Sequence, residues 1–202
     1  MKQTSSVPAL TLPLVLASTS SYRKKILTRL NIPFETFAPN VDETAKANES
    51  PEEMVVRLAE LKARTAHAAY PQALIIGSDQ VVVVNNTVLG KPNSHEEAIK
   101  QLVFQSGQQA NALTALCLLN TKTGRVQVDV VKFSVNYRVL TLSQIENYLV
   151  KEKPYDCASS LKSEGLGIAL LEKMTGDDPT TLIGLPLIHL VQMLEAEGLF
   201  VI

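Results

Sequence analysis

Tryptophan is absent from this chain, and it has only two cysteines and three histidines. His67, His95 and His189 show no metal-ligand spacing and no Cys/His cluster surrounds them, which excludes a structural zinc site. Cys117 and Cys157 are too few for a disulfide scaffold and fit a reducing compartment, so a cytoplasmic location is expected. Cys117 lies in the apolar run Ala115 to Leu119 and reads as plain core. Neither sign of charge dominates: 19 Lys and Arg face 20 Asp and Glu. The chain therefore carries no electrostatic footprint for a nucleic-acid polymer, and any anionic ligand must meet locally clustered bases. No apolar run is long enough for a membrane span or a signal sequence. Residues 1–13 read as a flexible tail, and 14–202 as one domain.

What is present is apolar sequence in quantity, 46% of 202 residues, which is enough for a full core. Leu14 to Ala17 reads as a buried strand, followed by the polar loop Ser18 to Ser21 and a helix over Tyr22 to Leu30. Phe34 to Ala38 alternates like a strand. Ser50-Pro51-Glu52-Glu53 combines a capping box with Pro at the first helical position, and apolar spacing continues that helix to about Tyr70. Ala73 to Gly77 and Val81 to Val84 read as two strands, with a hairpin turn at Asn85-Asn86 and a return over Thr87 to Leu89. Ser94 caps a helix ending near Gly107. Long strands over Ala112 to Asn120 and Val126 to Val139, a helix over Ser143 to Val150, apolar Leu166 to Leu171, and a helix over Leu187 to Glu197 complete the chain. Strands and helices mix without strict alternation, so the fold class is α/β with a mixed sheet flanked by helices.

Three places suggest chemistry. Arg23, Lys24 and Lys25 follow the Ser18–Ser21 loop at a helix start, where the helix dipole disfavours cations unless an anion is present; a Ser-rich cap with a solvated basic face is the plainer alternative. Asp79, in Gly77-Ser78-Asp79-Gln80, interrupts apolar sequence, where a carboxylate is costly unless paired or facing a cleft. Asp42-Glu43 follows a strand and matters if a cation is needed. Lys62 borders the apolar face of its helix and Lys91 sits in Gly90-Lys91-Pro92; snorkelling surface lysines are the alternative for both. The loop Lys162-Ser163-Glu164-Gly165-Leu166-Gly167 matches neither a P-loop nor a dinucleotide-binding fingerprint.

Taken together, Leu16-Ala-Ser-Thr-Ser-Ser-Tyr-Arg-Lys-Lys, Val41-Asp-Glu, Ile76-Gly-Ser-Asp-Gln, Gly90-Lys-Pro and Ile183-Gly-Leu-Pro resemble the Maf family of nucleotide pyrophosphatases, in order and across nearly the whole chain. The resemblance implies a two-lobed mixed α/β fold with a central cleft, similar to that of inosine triphosphatase. It implies a divalent cation, Mg²⁺ or Mn²⁺, and often a homodimer. Ser18, Arg23 and Lys24 would hold phosphates, and Lys62 and Lys91 would neutralise phosphate charge. Asp79 would be the catalytic carboxylate, with Glu43 beside it near the metal. The family usually has Pro where Ser21 stands and an acidic residue where Leu61 stands. Gln80 and the Lys162-Ser-Glu-Gly loop resemble the branch acting on 7-methyl-GTP, which has Trp where this chain has Tyr22. A cationic base would suit an aromatic face and a carboxylate, so Tyr22, Gln80 and Glu164 are the expected specificity residues. The expected reaction is hydrolysis of 7-methyl-GTP to the monophosphate and pyrophosphate. The alternatives are a dTTP/UTP or broad-range pyrophosphatase and a non-catalytic nucleotide-binding regulator of cell division.

Overall fold

The structure, a computed structural model, describes residues 12–202; residues 1–11, most of the expected tail, lie outside it. Seven strands form one mixed sheet: β1 (Leu14–Ala17), β2 (Glu35–Phe37), β3 (Leu74–Val84), β4 (Thr87–Leu89), β5 (Gln109–Asn120), β6 (Val126–Tyr137) and β7 (Leu171–Thr175). The order is β2-β1-β3-β5-β6-β7, with β4 also on β3. Strands β1, β2 and β3 run parallel, and the remaining pairings are antiparallel. Five helices flank the sheet: α1 (Ser21–Leu27), α2 (Pro51–Thr65), α3 (His95–Gln105), α4 (Leu142–Glu152) and α5 (Leu187–Ala196). None is long and apolar enough to cross a membrane.

Side chains alternate across a strand, so parity on β3 sorts the core. The odd residues Ile75 and Val81 join Val55, Ala59 and Ala63 of α2. The even residues Leu74 and Ile76 join Ile26, Leu27, Leu190 and Leu194 of α1 and α5, while Val82 and Val84 join Leu102, Ile145 and Leu149 of α3 and α4. The opposite face of the sheet thus carries two clusters at the two ends of the same long strands, which makes the two lobes.

Sequence periodicity misplaced one boundary that matters. Ala73–Gly77 and Val81–Val84 are not two strands; Leu74–Val84 is one continuous strand with Asp79 at its middle. A ladder to β5 pairs every residue from Leu74 to Val83, so the polar insert Ser78-Asp79-Gln80 is held in extended backbone despite its composition. Apolar Leu166–Leu170 is a 3₁₀ helix, and β7 begins at Leu171. The turn at Asn85-Asn86 forms as expected, with both φ angles positive, 46° and 63°.

Candidate active site

The cleft follows from strand lengths. β1 pairs with Leu74 to Ile76 of β3, and β4 pairs with Val82 to Val84. Between them one edge of β3, from Gly77 to Val81, has no neighbouring strand. A cleft of about 570 Å³ opens there, walled by the Ser18–Arg23 segment, α2, the loop around Lys91, and the loop from Asp156 to Glu164. Ser18, Tyr22, Arg23, Glu43, Lys62, Asp79, Gln80, Lys91 and Glu164 all line it.

Parity sends Asp79 to the α2 side, and α2 comes close because Gly77 has no side chain: a Cβ there would fall on the Ala59 carbonyl oxygen and 2.9 Å from the Ala63 nitrogen. Lys62, beside Ala63, is thereby brought to Asp79. Its Nζ lies 2.6 Å from Asp79 Oδ1 and 2.6 Å from Glu43 Oε1. Lys62 and Asp79 are 6% and 7% exposed, burial that neither charge tolerates without the other. Glu43 comes from the loop between β2 and α2. Arg57 of α2 holds this loop, donating to Glu49 from Nε and Nη2 and to the Thr44 carbonyl at 3.1 Å.

Even-numbered Ser78 and Gln80 point to the other face. Ser78 Oγ donates to the Gly184 carbonyl at 2.8 Å, and Arg23 Nε donates to the same oxygen at 2.7 Å. Gln80 Nε2 donates to the Thr181 carbonyl at 2.6 Å and to Thr114 Oγ1 at 3.0 Å. Both Gln80 N–H donations are thus taken within the protein, by Thr181 of the 179–183 segment and by Thr114 of β5, and Oε1 is the amide atom left for a ligand.

Lys24 is the residue that the structure does not bring to the cleft. It is exposed and is not among the lining side chains. Helix α1 has only seven residues, so Lys24 and Lys25 fall in its last turn, where the dipole favours cations, and the expectation of three cations opposing the dipole narrows to Arg23. Ser20 caps this helix by accepting from Arg23 N, so the start holds with Ser21 where the family has Pro.

The cleft has two electrostatic poles. At one, burial works against the Glu43 carboxylate, yet Lys62, Lys91 and Arg23 hold it below the usual carboxylate range. Burial lowers the Arg23 guanidinium, and Asp79 and Glu43 offset that. At the other pole Tyr22 Oη donates to Asp156 Oδ1 at 3.2 Å, and Cys157 Sγ lies 3.7 Å from Tyr22 Oη. Burial, then Cys157 and Asp156, push the Tyr22 phenol further up, so it remains a donor. Burial raises the Cys157 thiol to about 11, with Asp156 and Glu164 adding to it and Tyr22 working against it. Sequence reading missed Asp156 and Cys157 in the site: they meet Tyr22 across more than 130 positions, and no local pattern encodes that meeting.

The family's sequence profile, described as Maf-like protein, matches residues 13–197. The chain belongs to the Maf family. A relative from Nitrosococcus oceani named 7-methyl-GTP pyrophosphatase is 54% identical over 185 residues, covering 92% of this chain and 93% of its own. One of the same name from Pseudoalteromonas translucida is 50% identical, with 94% of each chain covered. Among solved structures, the Ham1 protein of Staphylococcus aureus matches with a TM-score of 0.45 and 18% identity, over 62% of this chain and 71% of its own. In this Maf-like protein the family motifs converge: the Ser18 loop, Glu43, Asp79, Lys91 and Gly184 come from five separate segments and meet around the free edge of β3.

Proposed function

We propose that this chain hydrolyses 7-methyl-GTP between the α and β phosphates, releasing the monophosphate and pyrophosphate. The observation that carries this reading is the Lys62 ammonium held between Glu43 and Asp79 on the wall of a cleft that Arg23 and Lys91 also line. Three cations suit a triphosphate, and the two carboxylates suit water activation and a cation. The names of the relatives support both the reaction and the base.

In this reading Ser18 and Arg23 bind phosphate oxygens, with Lys62 and Lys91 offsetting the charge that builds on the leaving pyrophosphate. Asp79 orients the attacking water and takes its proton as the new P–O bond forms. Lys62 engages one oxygen of each carboxylate, which leaves the other oxygen of each for a divalent cation. Two carboxylates plus substrate phosphate oxygens are a donor set that Mg²⁺ accepts, and Glu43 and Asp79 would hold it. Bound there, Mg²⁺ or Mn²⁺ would supply charge neutralisation at the phosphates. Tyr22 and Glu164, which line the same cleft, receive the methylated base. We place the reaction in the cytoplasm, in keeping with the two free thiols.

Pyrophosphate release measured from 7-methyl-GTP, GTP, dTTP and UTP at equal concentration, with Mg²⁺ or Mn²⁺ and again with EDTA, tests this. We expect 7-methyl-GTP to be the best substrate and EDTA to abolish turnover. A pyrimidine triphosphate turned over faster overturns the base assignment. Release from none of them overturns the reaction.

A further inference from the structure

The base end of the cleft carries more negative charge than the Tyr22 and Glu164 roles require. Asp156 also lines it, and neither Asp156 nor Glu164 has a salt-bridge partner among the described residues. The one cation on the same loop is withdrawn: Lys162 Nζ lies 2.6 Å from Glu152 Oε1 at the end of α4. Glu152 also accepts from Leu166 N through Oε2 at 2.7 Å, so this ion pair is part of how the loop is built. The cations of the cleft, Arg23, Lys62 and Lys91, all act on Glu43 at the other pole. Asp156 and Glu164 both act on Cys157, and Lys162 opposes them less strongly. Two carboxylates without an ion-pair partner among the described residues thus line the cleft near Tyr22 and Cys157, while Arg23, Lys62 and Lys91 surround Glu43.

Asp156 is also bonded to the aromatic ring at that end. It accepts the Tyr22 hydroxyl at 3.2 Å. A phenol donating to a carboxylate gains electron density on its ring, which strengthens the ring face as a partner for a cation. The bond also limits rotation of the Tyr22 side chain, fixing the platform. The loop bearing Asp156 is anchored on both sides: Asn93 N donates to the Tyr155 carbonyl at 3.1 Å and Ser159 N donates to the Gly90 carbonyl at 3.0 Å. These bonds place the backbone on either side of Asp156, and its exposed carboxylate is held by the Tyr22 hydroxyl.

We infer that Asp156 is a specificity-determining residue that selects a positively charged base, directly by its charge and through the ring of Tyr22. This rests on the pyrophosphatase reading above and adds a residue to it. The positive charge of 7-methylguanine, and not the bulk of its methyl group, is what the site reads.

The test compares kcat/KM for 7-methyl-GTP with that for 7-methyl-7-deaza-GTP, which keeps the methyl group but is neutral, in the wild-type protein, Asp156→Asn and Asp156→Ala. Wild type should favour the charged nucleotide, and both variants should lower that ratio about three- to fivefold, the range of an exposed cation–π contact. A merely structural role would reduce both substrates alike. An unchanged ratio in both variants overturns the assignment of Asp156. Wild type that treats the two nucleotides equally, while still releasing pyrophosphate, overturns the charge reading and leaves the pyrophosphatase reading standing. No pyrophosphate from either nucleotide removes both.

Discussion

A carboxylate at the middle of a buried strand is stable only if something of opposite charge meets it, and Asp79 meets Lys62. Asp79→Asn keeps the shape of the side chain but removes the charge and the basic oxygen. It should lower kcat by a factor of about 100 or more while the far-ultraviolet circular dichroism stays native. Near-normal turnover would remove Asp79 from the chemistry. Cys157 lines the same cleft, and burial pushes its thiol up to about 11, so at neutral pH it carries almost no thiolate. Alkylation of Cys157 by iodoacetamide should therefore be slow near neutral pH and should accelerate as the pH rises toward 11. Saturating nucleotide should slow it at every pH. Rapid labelling at neutral pH would contradict this placement of the thiol.

At the scale of elements, the site depends on how closely α2 lies against β3. Gly77→Ala places a methyl group against the Ala59 carbonyl and the Ala63 backbone, which cannot move without shifting α2. The expected cost is roughly 1–3 kcal/mol, a fall of about 2–12 °C in thermal midpoint. Turnover should fall as well, because Lys62 moves with the helix. The Glu43 loop depends in turn on Arg57 and Glu49. Arg57→Lys cannot reproduce the forked contacts to Glu49 and Thr44. It should lower kcat/KM about tenfold through misplacement of Glu43, with little change in thermal midpoint. The bond from Arg57, then the Lys46 amide, holds Glu49 down at about 2. A depressed carboxylate stabilises the fold above its ordinary value, 4.5, and loses that contribution as pH falls toward 2. The thermal midpoint of Glu49→Gln should accordingly fall less than that of wild type as pH is lowered through this window.

At the scale of the whole molecule, the cleft is lined from both lobes, and the long strands β3, β5 and β6 run through both. A ligand that touches the Ser18 segment, α2, the Lys91 loop and the Asp156 loop binds only when all four are in place, so it stabilises the folded chain as a unit. A non-hydrolysable 7-methyl-GTP analogue at about 100 times its Kd, with Mg²⁺, should add about 2.7 kcal/mol and raise the thermal midpoint by about 5–10 °C. No shift in differential scanning fluorimetry would mean the cleft is not the nucleotide site.

Much of the element pattern was legible in the residues alone. The capping box at Ser50 and Glu53, the Asn85-Asn86 turn and the cap at Ser94 are local chemistry, set by hydrogen bonds within a few positions, and each forms as read. Asp79 stood out because a carboxylate inside an apolar run demands a reason. What local sequence could not show was the continuity of β3 through that polar insert, which its ladder to β5 enforces. Nor could it show that Lys24 turns away while Arg23 turns in, that the Gln80 amide is bound to Thr181, or that Asp156 meets the Tyr22 hydroxyl. Those outcomes depend on strand register and on contacts between segments over 100 positions apart. Caps, turns and buried runs are determined by neighbours in sequence; the free edge of β3 and the two poles of its cleft exist only because β1 and β4 both end at particular points along a third strand.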